Sequence, residues 1–184
     1  MSLPRRAFEM FAFRARRFRR DRKASAAVEF AMIAPVFFGL LFAILDVAMI
    51  FFAGQTLETA TQMSARLILT GQAQNGNYTA TQFKTDFCGY IVALISCPNV
   101  YLDVESYSSF TNVTISNPIS SGTLSTTGFG YNPGSSGDVV VVRAYYQWPI
   151  FVPTLGFNPS NLSGNKYLLT ATAAFRNEPY ANSN

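Results

Sequence analysis

The chain contains no histidine. That absence removes the commonest general base and every Ser-His or Cys-His arrangement for nucleophilic catalysis. Two cysteines and no histidine cannot complete a tetrahedral metal site. No glycine-rich phosphate loop precedes a helix, and the carboxylates pair only trivially, as Asp103 and Glu105 on one strand face. The expectation is a protein without enzymatic activity, metal, cofactor or small-molecule substrate.

Charge is also scarce, at 13% of residues, and it is unevenly placed. Residues 1–23 carry nine Arg or Lys against Glu9 and Asp21, a net of +7. The next segment, 24–54, holds only Glu29 and Asp46, and the remaining residues carry five basic and six acidic groups. The basic pI of about 9.2 therefore describes a short tail. A nucleic-acid-binding face needs positive charge spread over a folded surface. Here Arg16, Arg17, Arg19, Arg20, Arg22 and Lys23 stop where an apolar run begins, which is the pattern of residues retained on the cytoplasmic side of a membrane and in contact with its surface. No nucleic-acid partner is expected. Phe8, Met10, Phe11, Phe13 and Phe18 are interleaved with the arginines, so the tail is either a basic amphipathic helix on the membrane or a disordered segment.

From Phe30 to Ala53 the sequence FAMIAPVFFGLLFAILDVAMIFFA carries one charge, Asp46. As a helix it rises about 36 Å, enough to cross a hydrocarbon core of roughly 30 Å. Cleavage as an ordinary secretory signal is not expected, because the run ends at Phe51-Phe52-Ala53-Gly54 with a bulky Phe at the −3 position. Pro35 predicts a kink or local opening. Glu29 at the head of the span and Asp46 seventeen residues later are functional candidates, since ionisable groups at membrane depth are expensive. The alternative for each is a place near one interface with access to water.

The stretch Arg20-Asp21-Arg22-Lys23-Ala24-Ser25-Ala26-Ala27-Val28-Glu29-Phe30-Ala31, followed by Met32-Ile33-Ala34-Pro35, resembles the signature of the TadE-like family of the bacterial tight-adherence (Flp-type, type IV pilus-related) machinery. The layout is that of pilins and pseudopilins: a basic leader, a small residue, four more residues, then Glu and an aromatic at the head of an apolar helix. The resemblance implies that a prepilin peptidase cuts between Ala24 and Ser25, which places Glu29 fifth in the mature chain. The family's usual residue before the cut is Gly, where Ala24 stands. Asp46 matches the family's late acidic residue, and Arg176-Asn177-Glu178-Pro179-Tyr180 resembles its closing motif. By the same resemblance Glu29, Phe30 and Asp46 are assembly residues. A poorly solvated carboxylate needs a cationic partner. Removal of the leader supplies an α-amino group, on the same subunit or a neighbour, while in an uncut chain Arg22 or Lys23 takes that role.

Beyond Gly54 the helical pattern continues through Leu57, Ala60, Ser64, Leu67 and Ile68, so one helix is expected from about Ser25 to Thr70, ended by Gly71. A second is expected over Thr81–Ile95. Strands follow: Val100 to Glu105, half-buried; Val139–Trp148, central and covered on both sides; and Lys166–Arg176. The fold class is α+β, a long N-terminal transmembrane and amphipathic helix packed on a small antiparallel sheet, pilin-like. The expected division is a leader over 1–24, a transmembrane helix over 25–54 and an extracytoplasmic α+β domain over 55–184. Of residues 108–137, 23 of the 30 are Ser, Thr, Gly, Asn or Pro, which reads as an exposed contact loop or a tolerated insertion, with a further edge strand over Phe110–Ile115. In an exported domain Cys88 and Cys97 are expected to form a disulfide joining the second helix to the first strand.

The expected function is that of a non-enzymatic pseudopilin or minor pilin-like component of tight-adherence pilus assembly and secretion. Its partners would be the membrane, the prepilin peptidase, other pilin-like subunits and the assembly platform. The alternative is an uncut bitopic inner-membrane scaffold or receptor with a periplasmic binding domain. Either way the expected location is the bacterial inner membrane, N-terminus cytoplasmic and C-terminal domain periplasmic, with incorporation into a pilus left open.

Overall fold

A computed structural model of the protein describes residues 22–91, 94–151 and 158–180, with only the backbone described at 22–25. Arg16, Arg17, Arg19, Arg20 and the rest of the basic tail to residue 21 lie outside the described residues. The chain forms two compact units, one ending at Ile44 and one starting at Leu45. A single helix, α1, Arg22–Leu69, contributes to both and is helical on either side of Pro35.

In the first unit α1 is apolar all round from Phe30 to Ile44 and buries almost nothing. Phe30, Met32, Ile33 and Ile44 are each at least about two-thirds exposed, at 66%, 74%, 66% and 66%. Phe37 and Phe38 meet edge to face at 5.4 Å, so even the aromatics pack only on their own helix. A helix with no polar face belongs in the core of a protein assembly or in lipid.

In the second unit the same helix becomes amphipathic. Asp46, Ala53, Leu57, Ala60, Thr61, Ser64, Ala65 and Ile68 are buried at steps of three and four residues. Small residues dominate that stripe and let the sheet approach closely; Leu169 lies 3.9 Å from where a side chain on Gly54 would begin. The buried hydroxyls of Thr61 and Ser64 donate to the Leu57 and Ala60 carbonyls, both at 2.8 Å, so they add no unpaired polar group. Gly71 ends α1 as expected: at φ 75° its N–H reaches the Ile68 carbonyl.

After α1 come a short helix α2, Gln72–Asn75, and α3, Ala80–Gly89, opened by a capping box between Thr79 and Gln82. The strands are β1, Val100–Tyr107; the two-residue pair β2, Ile119–Ser120, and β3, Thr123–Leu124; β4, Val139–Pro149; and β5, Lys166–Arg176. The sheet is antiparallel in the order β1-β4-β5, so β4 is the central strand the sequence implied. Alternate residues of β4 face opposite ways. Val140, Val142, Ala144, Tyr146 and Trp148 pack with α1 and α3, while Tyr145 joins Leu162 and Leu168 on the other face.

Three expectations need correction. The second helix stops at Gly89 instead of running to Ile95. Cys88 and Cys97 are disulfide-bonded with Cα atoms 5.7 Å apart, and a helix continued to residue 95 would carry the chain about 10 Å away. Phe110–Ile115 is not a strand: Ser109 Oγ accepts from the Thr111 N–H and starts a 3-10 turn over Phe110–Asn112. Segment 108–137 stays largely exposed, yet Phe129 stacks on Tyr145 at 5.1 Å and Gly130 and Asn132 bond both backbone groups of Val104. It roofs the second face of the sheet, so β1 is not half-exposed at Asp103.

Candidate functional site

The described residues of the N-terminal motif, from Arg22 onward, are helical. The backbone of Ala24 and Ser25 lies within α1, as does that of Arg22 and Lys23. Glu29 and Phe30 are exposed, Phe30 at 66%. Asp46 is closed off from solvent at 4% exposure and stands at the head of the buried stripe that continues through Ile50, Ala53 and Leu57. Glu29 belongs to the first unit and Asp46 to the second.

The closing motif acts at the other end of α1. Asn177 is buried and its side-chain amide donates to the carbonyls of Pro133, at 3.0 Å, and Ser135, at 2.9 Å. Its backbone N–H reaches the Asp138 carbonyl, and its own carbonyl accepts from Gly137. The next N–H, of Glu178, donates to the Leu69 carbonyl at 3.0 Å, giving a partner to a carbonyl that the helix end leaves open. The Tyr180 ring occupies the space a side chain on Gly71 would need. Burial, then the Asp138 charge, pushes the Tyr180 phenol above its ordinary pKa. The motif thus fastens β5 and the turn over 133–137 to the end of the long helix.

A charged cluster sits under the roof of the sheet. Arg143, in mid-β4, places one guanidinium nitrogen 2.7 Å from Asp103 Oδ2 and 2.7 Å from Glu105 Oε2. Asp103 Oδ1 also accepts from the Gly130 N–H at 3.0 Å, and Tyr107 donates its hydroxyl to Glu105. Burial disfavours the guanidinium charge, but the Asp103 and Glu105 carboxylates outweigh it and hold the Arg143 pKa above its ordinary value. The cluster borders a cavity of about 170 Å³ lined also by Ser116, Phe129 and Tyr145. Both carboxylates are engaged by one arginine, an arrangement suited to fixing the roof to the sheet.

Sequence reasoning did not single out Arg143. The available signal was a lone cation inside an otherwise apolar strand, opposite an acidic residue on the strand before it. The joining of Cys88 to Cys97, by contrast, is as expected, and it ties the last turn of α3 to the 3-10 turn Cys97–Asn99 that leads into β1.

A family model described as TadE-like protein matches residues 24–66. Over that span the chain is similar to the TadE-like family. The matched segment begins at Ala24, takes in Glu29, Pro35 and Asp46, and ends inside the buried stripe of α1. The TadE-like match links the chain to tight-adherence pilus assembly. Among the described residues one helix, Ala26–Leu69, is long and apolar enough to cross a membrane, which fits a membrane component. No curated protein and no solved structure matches the chain.

Proposed function

We propose that this chain is a non-enzymatic pseudopilin or minor pilin-like component of tight-adherence pilus assembly. The observation that carries the reading is where the TadE-like match falls. It covers one helix whose first part is apolar on every face and whose second part is sealed against a sheet. The sealed part anchors a rigid body; the apolar part is left for lipid and for the helices of other pilin-like subunits. Glu29, at the head of that part, would pair with a cation when subunits dock, and Asp46 would hold the junction where the buried stripe begins. The prepilin peptidase and the assembly platform are the expected partners, with the N-terminus cytoplasmic and the sheet domain periplasmic.

The test is the N-terminus of the mature protein, determined by mass spectrometry on membranes from cells with and without the prepilin peptidase. A terminus at Ser25 that vanishes without the peptidase is expected. An intact leader in both strains would overturn processing and favour the second reading, an uncut bitopic scaffold. Two observations support that second reading: alanine in place of glycine before the cut, and helical backbone running through Ala24 and Ser25.

A further inference from the structure

Three stretches of the chain, 47–57, 87–102 and 144–165, contain no Asp, Glu, Lys or Arg. They are distant in sequence, yet the fold of the second unit brings their described residues to one end of the sheet. There β1 begins at Val100 opposite Tyr146, and β4 ends at Pro149 opposite Lys166, where β5 begins. The core behind this end joins Ala53 and Leu57 of α1 to Phe87, Ile95, Tyr146 and Trp148, with Ile50 and Ile91 packed on it.

Large apolar side chains nevertheless remain outside that core. Phe51 is 72% exposed, Phe52 55%, Phe151 61%, Leu94 43% and Tyr90 38%. Phe151 is held in place by an edge-on contact with buried Trp148 at 6.3 Å. Of the acidic residues that flank the stretches, Asp46 and Asp103 are buried, Glu58 accepts from Gln62 a turn further into the unit, and half-buried Asp86 is engaged by the Tyr78 phenol. The flanking lysines stay at this end, Lys84 donating to the Pro98 carbonyl and Lys166 to Gln147 Oε1.

We infer that this end of the domain rests in the headgroup region of a lipid bilayer, with Phe51, Phe52, Tyr90, Leu94 and Phe151 inserted and Lys84 and Lys166 toward the phosphates. Contiguous exposed apolar surface marks a membrane or protein contact, and aromatic side chains with a lysine rim match the water–lipid boundary. The occupant is a bilayer and not another protein because the apolar run of α1, through Val47–Phe52, is part of the same end. Ile50 of that run and Ile91, next to Tyr90, pack on the core that holds Trp148, on which Phe151 rests, so a membrane that holds the run is close to this end. The inference rests on the reading that α1 crosses the membrane.

The test uses the full chain in vesicles of mixed phosphatidylcholine and phosphatidylglycerol, with the native disulfide kept oxidised. An environment-sensitive fluorophore is attached through Leu94→Cys or Phe151→Cys, and separately through Ile115→Cys, which is exposed on the roof of the sheet. Lipids with a nitroxide near the headgroup should quench the first two labels at least roughly twofold more than the third. Quenching at 94 and 151 no greater than at 115 would overturn the inference. A label at Met32→Cys, read with a nitroxide deep in the acyl chain, separates the failures. Quenching there but not at 94 and 151 sinks the surface contact alone, and no quenching at any of the three sinks the spanning helix with it.

Discussion

Arg143 and Asp103 face each other directly across β4 and β1, their charged atoms 2.7 Å apart and both side chains almost wholly buried. Glu105, the second carboxylate on the same guanidinium, is more than a third exposed at its side chain. The two carboxylates therefore differ in what their loss should do. Asp103→Asn leaves the buried Arg143 with only the partly exposed Glu105 as counter-charge, and should cost about 3–5 kcal/mol of unfolding free energy. Glu105→Gln loses a partly solvated pair and should cost about 0–1 kcal/mol. Chemical denaturation of both variants checks the ranking; equal effects would show that burial does not set the strength of this cluster.

Tyr131 offers a pH-dependent readout. Burial, then the neighbouring Tyr78, pushes its phenol up from the usual 10 to about 12. A phenol is neutral when protonated, so a raised folded-state value means that the fold favours the protonated form. That contribution is complete below about pH 10 and is lost as the pH rises towards about 12. Spectrophotometric titration of the native protein should show a tyrosine ionising late, and Tyr131→Phe should remove it together with that share of the alkaline loss of stability. An unchanged alkaline transition in Tyr131→Phe would assign the effect to another group.

Gly71→Ala tests the joint between the closing motif and the long helix. The left-handed backbone at φ 75° costs a non-glycine residue about 1–2 kcal/mol, and overlap with the Tyr180 ring adds about 1–3 kcal/mol. In the double variant with Tyr180→Ala the overlap disappears and only the backbone part should remain. Thermal unfolding of the two single variants and the double variant gives the coupling. Strict additivity would mean that Tyr180 does not pack on Gly71.

The Cys88–Cys97 bridge closes a short loop and should contribute about 2–3 kcal/mol. Unfolding in the presence and absence of reductant, with Cys88→Ser/Cys97→Ser as reference, measures it. The reduced wild-type protein should match the double variant.

Much of the architecture is legible in the residue pattern alone. The apolar run, the period of the stripe from Leu57 to Ile68, the stop at Gly71 and the alternation in Lys166–Arg176 are local patterns, and local geometry sets them. The end of α3 is misplaced although the Cys88–Cys97 bridge is legible, because helical periodicity over Thr81–Ile95 takes no account of the turn that the bridge imposes on the chain. The role of segment 108–137 is hidden for a related reason. Its polar composition reads as solvent-exposed, but a few residues, Ile119, Leu124 and Phe129, reach the sheet and suffice to roof it.

What the sequence determined by itself is the long helix, its change from wholly apolar to amphipathic, the three main strands and the motif over residues 20–35. All of these follow from spacing along one chain segment. Only the tertiary structure decided that Arg143 meets Asp103, that Asn177 and Glu178 fasten the end of α1, and that the described residues of three uncharged stretches share one end of the domain. Each of those depends on strand register and on packing between residues far apart in sequence, and side-chain period alone carries no information about which distant partner will be opposite.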